Sequence, residues 1–283
     1  MTTHHHARSA HACDTVVAVS LLSRFAVATP IDWRLTLWLR SIAALAAFNV
    51  GLWIWIASSG ALRTPYADMQ LLLSAVYVGV CGFRSLFPRV DLERVCLWDS
   101  WLSAILLGRT AATIAELCFA LQCAFFVQRL SEITGMPLLN AGAQAFVPLV
   151  IVAEVVCWYA VLSLNHIGHA IEETLWALLM LILSAALGTA ALAAEGLLRV
   201  MLIAGCLVYG IGAGLTLAFD VTMYVQRWRS RRAEVRLPLV TGLRDSQCRR
   251  HPTMAWEVWR EKAPWMTLYF SIGVWTSLAM VLL

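Results

Sequence analysis

Residues 153–176 read AEVVCWYAVLSLNHIGHAIEETLW and set Glu154, Tyr159, Asn165, His166, His169, Glu172 and Glu173 into an otherwise apolar stretch. Imidazole and carboxylate side chains in that mixture bind divalent metals or pass protons. On a helix, residues three, four and seven apart share a face, so His166, His169 and Glu173 align, and Glu172 is offset but within reach of His169. The spacing predicts a metal set of His166, His169, Glu172 and Glu173, in which one glutamate ligates while its neighbour pairs with an arginine or orients a histidine. Zn²⁺ or Fe²⁺ suits these nitrogen and oxygen donors. A dinuclear carboxylate centre would need acids from several helices, and Glu116, Glu154, His169 and Glu172 or Glu173 are the residues to supply it. The competing reading of His166 is a solvated turn histidine, and that of Glu116 and Glu154 is an acid hydrogen-bonded across helices. His-Glu-x-x-His, the histidine clusters of membrane desaturases, phosphate-binding loops, nucleophile elbows and dinucleotide fingerprints do not occur.

The elements that hold these residues follow from composition. The 283 residues are 60% hydrophobic and 13% charged, with a mean hydropathy of +0.74. That excludes a soluble globular domain and predicts an all-α polytopic bundle, because helices satisfy every backbone polar group within lipid. Residues 1–34 read as a tail and interfacial segment, whose four histidines are set apart from the site, and 35–283 as a single transmembrane domain. Apolar runs predict seven spans, near 36–57, 69–83, 110–127, 143–164, 167–194, 200–224 and 264–283. Residues 96–107 are too short to cross, and read as re-entrant, interfacial or the start of a long kinked helix. Spans four and five follow each other with almost no loop, which predicts a tight antiparallel hairpin turning at Asn165.

Basic residues gather in the N-terminal arm, at 84–94 and at 227–262, so the positive-inside rule places the N-terminus in the cytoplasm and the C-terminus outside, across a bacterial inner or plasma membrane. The net charge of +4 reports orientation and implies no nucleic-acid partner, and the Arg-rich cytoplasmic loop 227–262 reads as a contact to anionic lipid. Eight cysteines, none in a Cys-x-x-Cys pair, read as small buried hydrophobes.

With this topology Glu116, Glu172, Glu173 and Asp220 lie close to the cytoplasmic ends of their spans, and Glu154 lies about 16 Å above Asn165 at ~1.5 Å per residue. A polar site in the inner half of the bundle follows. Glu154 and Glu116 are the expected catalytic proton carriers, and Arg109, Asp99, Asn165, Tyr159 and Asp220 the expected substrate contacts. Arg109 is expected to pair with Asp99. Arg84, Arg89, Arg94 and Arg109 are placed to hold an anionic headgroup at the cytoplasmic surface, with topology marking the favoured reading of the first three; Asn49 reads as an interhelical hydrogen bond, and the glycines of span six as points of close helix approach. The leading functional reading is a metal-dependent membrane enzyme acting on a lipid-like or quinone-like substrate. Its alternatives are a proton- or ion-coupled transporter or channel using the intramembrane carboxylates, and a scaffold or pigment-binding subunit of a membrane complex, as a homo- or hetero-oligomer.

Overall fold

The computed structural model describes residues 32–59, 64–231 and 236–282, so the expected interfacial segment before residue 32 lies outside the described residues. The first six spans are α1 (Trp33–Ser59), α2 (Pro65–Leu86), α3 (Ile105–Thr134), α4 (Leu138–Ser163), α5 (His166–Ala193) and α6 (Gly196–Ser230). A cap on one face of the bundle contains β1 (Arg89–Val90) and β2 (Val95–Cys96) between α2 and α3, and α7 (Leu239–Cys248), β3 (His251–Pro252) and α8 (Trp256–Trp259) after α6. Span seven, α9 (Ala263–Leu282), ends the described chain. The expected all-α seven-span bundle is the observed architecture. Helices α1, α2, α3 and α6 outrun their expected spans because their end turns carry polar residues that hydropathy leaves out, such as Arg84 in α2 and Arg129 and Glu132 in α3.

Lipid solvates aliphatic side chains as well as a protein interior does, so the bundle is held by packing and by hydrogen bonds between helices. On α1, Leu35, Trp38, Ile42, Ala46 and Asn49 are buried at spacings of three and four, whereas Leu37, Phe48 and Ile54 face outward. Asn49 donates to the Phe270 carbonyl at 2.8 Å and accepts from the Trp275 indole at 3.1 Å, the expected link between helices. Gln70 and Gln122 each donate to the other's backbone carbonyl at 3.1 Å, and Ser277 donates to the Gln122 side chain at 2.6 Å. Those bonds tie α2, α3 and α9 together. Small residues do the same for α5 and α6: a β-carbon on Gly205 would stand 3.0 Å from Leu187, and one on Gly210 would stand 3.2 Å from Ser184.

Residues 96–107 form neither a re-entrant nor an interfacial helix. Cys96 ends β2, Trp101–Ser103 is one 3₁₀ turn, and Ile105 already opens α3. The reason is local: the strand pairing Arg89↔Cys96 and Val90↔Val95 satisfies the backbone there, and β3 adds to β2 in parallel. The Arg-rich loop, expected to contact anionic lipid, folds onto the α4–α5 turn. Arg94, fully buried, pairs with Asp245 at 3.0 Å and donates to the carbonyls of Asp91 and Val161. The Val161 carbonyl belongs to the last turn of α4, where helix carbonyls lack partners of their own. Arg227 pairs with Glu93, Arg249 with Asp245 and Arg250 with Asp99, so these arginines are spent on protein carboxylates.

Candidate functional site

The site is built where α3, α4 and α5 start or finish against the cap. Arg109, one turn into α3, lies seven residues before Glu116 and therefore on the same face. Its Nη2 donates to Glu116 at 2.7 Å and to both oxygens of Glu154 at 3.1 Å, and its Nη1 lies 3.9 Å from Glu172. None of these four residues is more than 5% exposed. Asp99 is not among the partners. It pairs instead with Arg250 at 3.0 Å, because the cap turns it toward the loop surface while Arg109 points into the bundle.

Around this guanidinium the acids acquire further donors. Thr113 donates to Glu154 and in turn accepts from the Trp158 indole at 3.0 Å, and Tyr269 donates to Glu116 at 3.3 Å. Glu172 contacts the His169 Nδ1 at 2.5 Å, and the His169 ring stacks on Tyr224 with centroids 5.1 Å apart. Asn165 caps α5 by accepting from the Ile167 N–H and donates to the Tyr159 hydroxyl. Tyr159 is half-exposed on the outside of α4, and neither of the two reaches the cluster. His166 is buried rather than solvated, faces Tyr224 at 6.3 Å between ring centroids, and leaves its Nδ1 without a partner.

A cavity of about 480 Å³ opens beside the cluster, within the size range of small-molecule sites. Arg109, Glu116, His169 and Glu172 form its polar end, and Glu173 and Asp220 also line it. Its apolar wall includes Phe119, Trp176, Met180 and Trp265. Two π-helical turns border it, Thr216–Val221 in α6 and Tyr269–Gly273 in α9. Such turns free backbone groups and recur at functional sites. Helices α6 and α9 do not pack along each other beside the cavity. They meet at Tyr209 with Thr276, and Arg227 of α6 also pairs with Glu261, just before α9. Leu268 and Ile272 of α9 line the cavity and are 44% and 41% exposed.

Comparison with protein-family models, with curated proteins and with solved structures returns no match. What the site can do therefore rests on its own chemistry.

Two groups of three side chains bring ligand atoms within 4.8 Å of one another among the described residues: Cys157 with His169 and Glu172, and Glu116 with Glu154 and Glu172. His166 and Glu173 belong to neither. In the all-carboxylate group Arg109 already supplies the positive charge between the acids, as a metal would. The Cys157 group offers sulfur, nitrogen and oxygen donors of the kind zinc accepts. Cys157 was legible only as a small buried hydrophobe, since its role depends on α4 facing α5.

At the cap end of the cavity, Arg84 sits 5.3 Å from the centroid of the Tyr269 ring, and Arg89, only 3% exposed, donates to the carbonyls of Leu102 and Ala104. Burial pulls the Arg89 guanidinium down to about 10, with the neighbouring Asp91 carboxylate opposing the shift. Gly108 permits the close approach, because a β-carbon there would stand 1.8 Å from the Arg89 guanidinium carbon. Arg84 and Arg89, for which the sequence offered both a headgroup contact and topology marking, belong to the wall of the cavity.

Proposed function

We propose that this protein is a membrane-embedded enzyme that admits a lipid-like substrate from the bilayer between α6 and α9 and acts on it by proton transfer through His169 and Glu172. The observation that carries the reading is the meeting of a buried His–Glu pair and an Arg–Glu knot at the polar end of a cavity whose remaining wall is largely apolar and includes the exposed Leu268 and Ile272 of α9. Glu172 accepts from the His169 Nδ1–H, which leaves Nε2 as the basic nitrogen for a substrate hydroxyl or water. Arg109 holds the carboxylate side of that pair, and Glu116 and Glu154 hold Arg109, so the two acids position the site.

The test is turnover. Purified full-length protein in nanodiscs of total bacterial membrane lipid is incubated, and lipid masses are compared with those of His169→Ala and Glu172→Gln. Conversion of a lipid species by the wild type, lost in both variants, supports the enzyme. No mass change, together with Glu172-dependent proton flux in proteoliposomes, would replace it with a coupled transporter.

A metal-assisted version is favoured by one observation, the approach of Cys157, His169 and Glu172 within 4.8 Å. Those residues would hold zinc, which when bound lowers the pKa of a coordinated water. Elemental analysis of wild type and Cys157→Ala decides it: one zinc per chain in the first and none in the second supports the metal, and none in either removes it.

A further inference from the structure

A second cavity, of about 40 Å³, is lined by Ala120 and Cys123 of α3, Phe146 and Val150 of α4, and Leu179 and Leu183 of α5, and no polar surface faces it. The same three helices carry Glu116, Glu154 and Glu172. Ala120 and Cys123 follow Glu116 by about one and two turns, Val150 and Phe146 precede Glu154 by about one and two, and Leu179 and Leu183 follow Glu172 by about two and three. Because α4 runs against α3 and α5, all three directions lead away from the cap. The small cavity therefore lies beyond the knot, toward the middle of the bundle.

Phe119, Trp176 and Met180 line both cavities, so they stand between the two. The six residues that line only the small one are no more than 3% exposed, whereas the three shared side chains are partly buried. The side on which the small cavity is not sealed is thus the side it shares with the large one. A space for about three water-sized groups that offers no hydrogen-bonding partner suits hydrocarbon better than water. Its walls lack contacts that a close-packed core would have, and a chain end seated there supplies them. Met180, unbranched and free to change rotamer, can admit a chain between the Phe119 and Trp176 rings.

We infer that the small cavity seats the end of the substrate's hydrocarbon chain, which runs from the His169–Glu172 pair past Phe119, Trp176 and Met180 into the middle of the bundle. This rests on the lipid-substrate reading above and adds that the site measures chain length. Along α5, Leu179 lies about 10 Å and Leu183 about 16 Å from Glu172 at ~1.5 Å per residue, so a chain that ends short of this interval does not reach the seat.

The experiment maps where chain ends sit and requires no turnover. Full-length protein in detergent micelles is irradiated with hexan-1-ol or dodecan-1-ol bearing a terminal diazirine, the hydroxyl standing in for the substrate's polar end, and labelled residues are located by peptide mass spectrometry. The dodecyl probe is expected to label Cys123, Phe146 or Leu183, and the hexyl probe only residues of the large cavity. Ala120→Val and Val150→Phe narrow the small cavity and are expected to cut dodecyl labelling there by about fivefold or more, while hexyl labelling of the large cavity holds. Ala120→Val adds only two methyl groups, so it decides the matter even if Val150→Phe fails to fold. Dodecyl labelling confined to outward-facing residues such as Leu178 and Leu181, or labelling of the small cavity that neither folded variant changes, would overturn the inference. Turnover of lipid by a protein whose small cavity stays unlabelled overturns the chain seat alone. The expected labelling in a protein that converts no lipid upholds the seat and removes the enzyme.

Discussion

Replacing Arg109 by leucine should be among the most destabilising single changes in the bundle, because it strands three buried carboxylates at once. The guanidinium lies 2.7 Å from Glu116, 3.1 Å from Glu154 and 3.9 Å from Glu172. At an effective dielectric of about 20, each unit-charge pair at about 4 Å attracts by about 4 kcal/mol, a gross gain largely offset by the desolvation of the buried groups. The loss on truncation is different in kind: acids that cannot return to water remain without their cation, at a cost of about 3–5 kcal/mol. The assay is reversible SDS unfolding in mixed micelles followed by circular dichroism. Arg109→Leu is expected to lose about 3–5 kcal/mol. Adding Glu154→Gln should recover part of that loss, giving a coupling energy of about 1–3 kcal/mol in the double-mutant cycle. An Arg109→Leu protein within about 1 kcal/mol of wild type, or a double variant equal to the sum of its singles within about 0.5 kcal/mol, would refute the buried knot.

Other consequences can be measured independently. Leu164 ends α4 with φ 55° and ψ 40°, a left-handed conformation costly for a branched side chain, so Leu164→Gly should stabilise the same unfolding transition by about 1 kcal/mol. A β-carbon on Gly242 would stand 1.9 Å from the Leu162 carbonyl oxygen, which is backbone and has no rotamer to yield. Gly242→Ala should therefore cost about 1–3 kcal/mol and loosen the cap, seen as faster tryptic cleavage at Arg249 and Arg250. Unchanged cleavage would argue against the docking of α7 on the α4–α5 turn. With the cap in the cytoplasm, as the positive-inside rule expects, an alkaline phosphatase fused after Leu283 should be active and a fluorescent protein fused there dark. The reverse pattern would invert the topology.

The fold was legible because apolar runs of bilayer length leave little choice of architecture, and the α4–α5 hairpin because Asn165 stands between two such runs. The convergence of Glu116, Glu154 and Glu172 followed from that topology, with depth read along each helix. The Arg109–Glu116 link was also written in the sequence, as a seven-residue spacing on one helix face, but the nearer acid Asp99 competed for the assignment. Which neighbour faces Arg109 depends on the strand pairing at Arg89 and Cys96, and two-residue strands leave almost no periodic signal. Cys157 and Tyr224 depended on side-by-side helix rotation, which hydropathy does not encode. The difference between His169 and His166 has the same origin, since both look alike by spacing while only His169 meets a carboxylate. Arg84 and Arg89 were candidates for a headgroup contact, but their position at a span end favoured topology marking, because the positive-inside rule already explains an arginine there.

Access from the bilayer between α6 and α9 is most directly tested by photolabelling. A phosphatidylethanolamine bearing a diazirine on its headgroup nitrogen is irradiated in nanodiscs with the full-length protein, and the labelled peptides are mapped by mass spectrometry. Labelling should concentrate on cavity residues around Glu173 and Trp176, Asp220 to Tyr224 and Trp265 to Gly273, and unlabelled phosphatidylethanolamine should compete it away. Labelling confined to the lipid-facing surfaces of α1 and of α6 near Leu197 and Leu207, with no competition, would contradict a substrate path into this cavity.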